Sequence, residues 1–399
     1  MLRKSLINNS CESTLMKVLV LGSGNIGSTA AGDMAKNMSS FDIIIADQDA
    51  RRAKDVADRI GESNVSWVHL DAANRGQLLS TLKDCDLAMG FLPGNLGYSL
   101  MKACIEARRD LVDVSYMAEN PLRLHQAATS AGITIVPDCG LAPGISNLIV
   151  GHAFRKLDKT KAVYVMVGGL PEKPIPPLGY IVTWSPESLI DEYTRKAIIV
   201  KRGRRVQVEA LSGMENIEFP EVGKLEAFFT DGLRTLPYTM DGVGDMWEKT
   251  LRYPGHAEKI RLLKAIGLFK EDKIKVEGVE VSPRRLTVKL LEQTLRKPEV
   301  KDFVALKVEV FGVEDGEETG YAYHMLDNCD RKRGITAMAR TTGYPMSIVA
   351  QLILSGAVKE KGVVPPERLG MEDRVFRMFW DGLEKRGIRI SEKRMSCRA

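Results

Sequence analysis

Residues 18–36 read VLVLGSGNIGSTAAGDMAK. Four apolar residues run straight into Gly22-x-Gly24-x-x-Gly27, and a stretch with helical spacing follows. Such a strand–turn–helix uses its glycines for three separate purposes. Gly22 permits the tight turn, Gly24 lets the backbone approach a pyrophosphate, and Gly27 lets the helix pack on the strand. The helix start then offers N–H groups and a partial positive charge to phosphates. Asp47 ends a second apolar run, FDIIIAD (41–47), where a carboxylate can accept hydrogen bonds from a ribose diol. Motif, strand, helix and acid together point to a dinucleotide site, with Gly22, Gly24, Asn25, Ile26, Gly27 and Asp47 as its contacts. A carboxylate at that place repels a 2′-phosphate, so the pattern favours NAD over NADP. Arg51 and Arg52 read as solvated residues on the first turn of the next helix.

Outward from this motif the alternation continues for about 150 residues. VSWVHLD (65–71), DLAMGFL (86–92), DLVDVSY (110–116) and GITIVPD (132–138) read as strands. QDARRAKDVADRIG, RGQLLSTLKDC, YSLMKACIEAR and ENPLRLHQAATSAG between them read as amphipathic helices. Six strands alternating with helices imply a doubly wound parallel sheet of the Rossmann type, spanning 16–148. At its carboxyl edge, where ligands bind in such sheets, Asp71 is placed to touch an adenine. Leu92, Pro93 and Gly94 of LPGNLG (92–97) supply backbone at the switch point. Asp113 is placed to act on substrate, with Ser115 and Tyr116 lining the nicotinamide pocket.

The texture changes after about residue 160. AVYVMVGGLP, YIVTWS, AIIVKRGRRVQVEAL and LEAFFTDGLRTLPYT read as strands and turns. Two helices, GHAEKIRLLKAIGL and SPRRLTVKLLEQTLR, and the hairpin FVALKVEVFGVEDGEETGYAYHML complete a second, α+β unit over 149–330. Residues 331–399 turn helical again in ITAMARTTG, MSIVAQLILSGAVKEKG and EDRVFRMFWDGLEKRG, and their apolar faces are expected to pack back on the first unit.

With 399 residues the chain exceeds one ordinary core, and its net charge of +5 is mild for that length. KRGRR (201–205) and DRKRG (330–334) are short basic clusters without interleaved aromatics, so they read as solvated turns and not as a nucleic-acid surface. No apolar run reaches bilayer length. The six cysteines Cys11, Cys85, Cys104, Cys139, Cys329 and Cys397 form no CxxC pair, and no His/Cys cluster suggests a metal. Reduced thiols in a cytoplasmic protein are the expectation. Residues 1–15 lack an apolar core and read as a disordered tail or a misplaced start.

Longer segments carry a resemblance. GITIVPDCGLAPGISNLIVGH (132–152) resembles the turn that closes the cofactor domain in the saccharopine dehydrogenase family. Residues 167–203, 224–236 and 249–268 are similar to that family's substrate domain, and residues 336–370 to its closing helical segment. RYPGHAEK (252–259) is most similar to the lysine 6-dehydrogenase branch. The resemblance implies NAD-dependent oxidative deamination of the ε-amine of L-lysine. Its products are ammonia and 2-aminoadipate 6-semialdehyde, which cyclises to a piperideine carboxylate.

That chemistry sets requirements. An ammonium of pKa about 10.4 must lose a proton before hydride leaves the adjacent carbon, and a group titrating near neutrality must help water attack the imine. His256 is the first candidate for the proton work, since His changes charge near physiological pH. Asp113 and Tyr253 are the others. Arg234 or Arg252 suits the substrate α-carboxylate, as a bidentate clamp or as an ordinary ion pair. Tyr116 and Tyr180 complete the substrate contacts, although Tyr180 and Trp184 also read as core. His69, His125, His152 and His324 read as structural, and Cys139 as inert.

Two other readings use the same residues. One is a reductase joining an aldehyde to an amine, as in saccharopine or carboxynorspermidine formation, typically with NADPH. The other is a dinucleotide-binding scaffold without turnover. Exposed strands in the second unit invite a two-fold partner, so a homodimer is expected.

Overall fold

The computed structural model describes residues 16–38, 40–297 and 299–396. Cys11, Cys397 and the tail 1–15 lie outside them. Six strands follow the sequence reading closely: β1 (Met16–Leu21), β2 (Phe41–Asp47), β3 (Val65–His69), β4 (Leu87–Gly90), β5 (Asp110–Asp113) and β6 (Thr134–Val136). They pair in parallel in the order β6-β5-β4-β1-β2-β3. Val18, Leu19 and Val20 have no exposure, as expected of a strand covered by helices on both faces.

A seventh parallel strand was not foreseen. Gly362–Val363 pairs with β6, so a segment far along the chain completes the first sheet. The helix Ala337–Leu354, which read as two separate pieces, is continuous through Pro345. It packs on α1 (Asn25–Asn37), where a Cβ on Gly343 would stand 3.0 Å from the Ile26 carbonyl. Asp33 of α1 fastens the same region by accepting from Ser347 Oγ (2.6 Å) and pairing with Arg386 (2.7 Å).

The second sheet has nine strands and is mixed. Its central strand, Lys159–Pro171, pairs in parallel with Asp245–Arg252 on one side and antiparallel with Asp302–Glu314 on the other. The hairpin Ala197–Lys201/Arg204–Val208 attaches to Asp245–Arg252, Val200 opposite Met246, with KRGRR at its turn. The final strand, Ser391–Ser396, joins this sheet, so residues 331–399 are not purely helical and serve both sheets. YIVTWS is not a strand. Tyr180, Ile181 and Val182 are buried as irregular chain before the helix Pro186–Thr194, and the Val182 N–H donates to the Leu295 carbonyl (3.0 Å). One apolar cluster runs from Val18 and Val20 through Leu148 and Met346 to Val163 and Val304, joining the two sheets into one core.

Candidate active site

A continuous cleft with a cavity of about 880 Å³ runs from the glycine-rich turn to the second sheet. At one end the local sequence fixes the backbone. Gly22 has φ +102°, and a Cβ there would stand 2.6 Å from the Phe91 carbonyl oxygen. A Cβ on Gly27 would lie 2.0 Å from the Gly22 carbonyl oxygen. Gly24 differs from both: its φ is −67°, and a Cβ would meet nothing within 4 Å. That open space lies beside the start of α1, which no side chain caps, so its first-turn N–H groups remain for an anion. The residues present therefore fit a dinucleotide pyrophosphate.

Asp47 and Asp71 also line this end, as do Leu92 and Pro93. Asp47 is more committed than the sequence suggested. Its carboxylate accepts from Ser23 N (2.8 Å), Ser23 Oγ (2.7 Å), Asp49 N (2.9 Å) and Arg52 through Nη2 (2.6 Å) and Nε (3.2 Å). Burial alone would raise its pKa, but the bonds from Arg52, Asp49 and Ser23 outweigh it and hold the carboxyl below its usual range. Arg52 is thus not merely solvated. It reaches back to Asp47 with half its side chain exposed.

The other end is built on the strand Asp245–Arg252. Period-two geometry puts Glu248, Thr250 and Arg252 on one face, and all three line the cleft. Arg252 is 3% exposed and grips both oxygens of Glu192 at 3.1 Å. Its Nε donates to Tyr193 Oη (3.2 Å), Nη1 donates to the Leu251 carbonyl (2.9 Å), and the guanidinium lies over the Tyr180 ring. Thr250 Oγ1 donates to Glu192 (2.7 Å) and lies 2.8 Å from Thr230 Oγ1, which lies 2.6 Å from Glu248. Burial pushes the Glu248 carboxyl up to about 8, with the Glu192 and Asp231 charges adding to it.

Between the two ends stands Tyr116. Its ring lies under the guanidiniums of Arg195 and Arg234, and its hydroxyl donates to the Asp231 carbonyl (3.2 Å). Asp138 lines the cleft here in a left-handed conformation (φ 52°), which a non-glycine residue holds only under constraint. Arg234 Nε holds one of its oxygens at 3.1 Å, while the other has no hydrogen-bond partner.

Of the residues picked from sequence, Gly22, Gly24, Asn25, Ile26, Gly27, Asp47, Asp71, Leu92, Pro93, Tyr116, Tyr180 and Arg252 line the cleft. The others lie behind it. Gly94 starts a helix with its Cα against the Tyr116 carbonyl, and Arg234 backs Asp138. Asp113 is fully buried and spends its oxygens on Ser115 N and Oγ (both 2.9 Å), so neither residue faces a ligand. Burial pushes Asp113 up to about 7. Tyr253 donates to the Pro171 carbonyl (2.9 Å).

His256 is 1% exposed and bonded at both nitrogens. The Leu178 carbonyl only accepts, so Nδ1 (2.9 Å) carries the proton and Nε2 accepts from the Tyr193 hydroxyl (2.8 Å). Burial, with Arg252 adding, pulls its pKa down to about 3. A neutral, doubly bonded imidazole off the cleft positions Tyr193 and Arg252 and does not fit proton transfer to a substrate. Glu192, Glu248, Thr230, Thr250 and Asp138 were the residues missed. The alternation E-K-T-L-R at 248–252 was the available signal.

Known proteins agree with this architecture. The chain is 24% identical to the saccharopine dehydrogenase [NADP(+), L-glutamate-forming] of Saccharomyces cerevisiae, covering 94% of this chain and 98% of that one. It is 22% identical to the carboxyaminopropylagmatine dehydrogenase of Synechocystis sp., over 92% of this chain and 96% of that one. It is 24% identical to the α-aminoadipic semialdehyde synthase of Arabidopsis thaliana over 94% of this chain, and spans only 44% of that longer protein. The solved apo saccharopine dehydrogenase (L-Glu forming) from Saccharomyces cerevisiae shares the fold, with a TM-score of 0.77 at 21% identity over 96% of this chain and 100% of that one. The saccharopine dehydrogenase NADP binding domain matches residues 18–136 and the saccharopine dehydrogenase C-terminal domain matches residues 140–388, so this chain, with its NAD(P)-binding domain, belongs to the saccharopine dehydrogenase family.

Proposed function

We propose that the chain is an NAD-dependent dehydrogenase that oxidises the ε-amine of L-lysine to the semialdehyde and releases ammonia. The observation that carries this reading is the charge balance at the substrate end of the cleft. Glu192, Glu248 and Asp138 face it, while Arg252 is already matched by Glu192 and Arg234, behind the lining, by Asp138 and Asp231, so neither buried guanidinium is left for a substrate carboxylate. Such a lining favours a cationic amine and disfavours a substrate bearing several carboxylates. The bound dinucleotide would supply the hydride acceptor. Thr230, Thr250 and the carboxylates would hold the ammonium, while the rings of Tyr116 and Tyr180 exclude water.

NAD is preferred because Asp47, Asp49, Asp55 and Asp71 outnumber Arg51, Arg52 and Arg59 around the adenosine end. A glutamate-forming saccharopine dehydrogenase is the second reading, favoured by the names of the relatives. Absorbance of the reduced cofactor, followed with NAD or NADP and with L-lysine, saccharopine or carboxyaminopropylagmatine, decides between them. Lysine-dependent reduction with ammonia release is expected, and turnover only of saccharopine would overturn the reading.

The same proposal includes a cytoplasmic homodimer. Cys85, Cys104, Cys139 and Cys329 are free thiols, and among the described residues no helix is long and apolar enough to cross a membrane. Leu262, Ile266, Ile274 and Val279 are exposed apolar side chains of the second unit, which a second copy would cover. Sedimentation of the purified protein tests it.

A further inference from the structure

Four oxygens stand in a row at the substrate end: Glu248, Thr230, Thr250 and Glu192. They are linked by contacts of 2.6, 2.8 and 2.7 Å. Each contact between two oxygens at such distances needs one proton, so the row needs three. The two threonine hydroxyls supply two. The third must sit on a carboxyl. Glu192 accepts both N–H···O bonds of Arg252 and is the ionised member, which leaves the proton on Glu248. The donors then all point one way, from Glu248 to Thr230, from Thr230 to Thr250 and from Thr250 to Glu192.

The surroundings agree with that assignment. Glu248 is 2% exposed. The charged groups nearest to it are carboxylates, Glu192 on the helix Pro186–Thr194 and Asp231 in the turn after the strand Gly223–Phe229. Arg252 on its own strand is bound to Glu192, and Arg234 and Arg195 are turned to Asp231. Val165, its register partner on the central strand, is apolar. Gly232 leaves room for the carboxyl, since a Cβ there would stand 2.5 Å from it. The side chain nonetheless lines the cleft, where a ligand can reach it.

We propose that Glu248 is a catalytic residue, which gives up this proton when the cationic substrate arrives and, as a carboxylate, removes a proton from the substrate ammonium. The inference rests on the amine reading above. In balance, R–CH2–NH3⁺ and the Glu248 carboxylate give R–CH2–NH2 and the Glu248 carboxylic acid. NAD, when bound, would accept the hydride from the carbon of the neutral amine, and water would convert the resulting R–CH=NH2⁺ to R–CHO and ammonium. The proton taken from the ammonium returns Glu248 to the acid form and restores the row of donors, and it leaves through the cleft when the next cationic substrate arrives. The threonine hydroxyls hold the carboxyl at the amine without a second fixed charge.

The test uses the full chain and the variants Glu248→Gln and Glu248→Asp. With L-lysine and NAD, Glu248→Gln should lower kcat/KM about 100-fold or more and abolish the ionisation near pH 8 in the profile, while Glu248→Asp retains that ionisation with partial activity. An infrared difference between wild type and Glu248→Gln at pH 7 should show one protonated carboxyl lost. Activity within about threefold of wild type, or a lowered affinity with the ionisation kept, overturns the proposal. So does the absence of a protonated-carboxyl band, which is read without turnover. Wild type that oxidises no amine would instead sink the functional reading, while the infrared band still reports on the shared proton. Should Glu248→Gln fail to fold, the wild-type profile decides: no ionisation between pH 7 and 9 overturns the assignment.

Discussion

The two ends of the cleft are made in opposite ways. At the cofactor end, a glycine-rich turn packed against Phe91 shapes the backbone, and Asp47 gathers Ser23 and Arg52 around it. At the substrate end the backbone is ordinary strand and helix, and the site consists of buried charged and polar side chains from four separated segments. The first end is rigid because a Cβ cannot be added at Gly22 or Gly27. The second holds together because each buried charge has a partner. Steric fit and electrostatic pairing fail differently when disturbed, which makes the contrast testable.

The largest effect on cofactor binding is expected at Gly24. Because a Cβ there meets nothing in the protein, Gly24→Ala should fold as the wild type does, yet fill the space beside the first turn of α1. Binding of NADH, followed by fluorescence titration, should weaken by on the order of 100-fold, the size of effect that a misplacement of about 1 Å produces. Gly27→Ala should instead lower the melting temperature, since its Cβ would overlap the Gly22 carbonyl. If Gly24→Ala keeps its affinity for NADH, the pyrophosphate does not lie where the motif places it.

At the substrate end the corresponding change is Arg252→Met. It leaves Glu192 buried without its cation, and removing one partner of a buried pair costs about 3–5 kcal/mol. The urea midpoint should fall accordingly, with NADH affinity untouched. The double variant Arg252→Met/Glu192→Gln should recover part of the loss, because no unpaired charge then remains. Equal damage in single and double variants would mean that packing against Tyr180, and not charge, is what Arg252 contributes.

The same contrast explains what could be read from the chain. The six parallel strands and the glycine turn were legible because their signals are local: apolar runs bounded by turn residues, with an acid at the next strand end. Glu248 and Thr250 were not, because a strand that buries its polar face shows no apolar alternation, and E-K-T-L-R resembles a solvated segment. Glu192 and Thr230 lie on different elements, and only the tertiary fold brings them to Arg252 and Glu248. His256 drew attention for its chemistry, whereas its neighbours fix it as an acceptor for Tyr193. Gly362–Val363 is two residues long, too short to carry any periodicity.

A smaller effect is expected where the two modes meet, at Asp47. Asp47→Ser should release Arg52 for a 2′-phosphate and remove a like charge from its path. The ratio of kcat/KM for NADP over NAD should rise about tenfold, equivalent to about 1.4 kcal/mol. Arg52→Ala should move the ratio the other way. An unchanged ratio in both variants would mean that the adenosine end is read by residues other than this pair.

The smallest effect lies in the pH dependence of stability, where the buried groups act with opposite signs. His256, pulled down to about 3, stays neutral where an unfolded His of pKa 6.5 binds a proton. The unfolded chain then holds more protons, so stability rises with pH through this window and the contribution is complete above 6.5. Glu248, pushed up to about 8, does the reverse: the folded chain keeps a proton that the unfolded Glu lost at 4.5. Stability therefore falls as pH rises from 4.5 to 8. Asp113, pushed up to about 7, adds to that decline mostly below 7 and to a lesser extent above it. Between pH 7 and 8 the His256 contribution is nearly constant and Glu248 is the group that moves most, with a slope of about 1 kcal/mol per pH unit. Urea midpoints of the wild type should fall across that unit, and those of Glu248→Gln should fall clearly less. A decline of undiminished size in Glu248→Gln would place the titrating proton on another group and leave Glu248 ionised in the resting cleft.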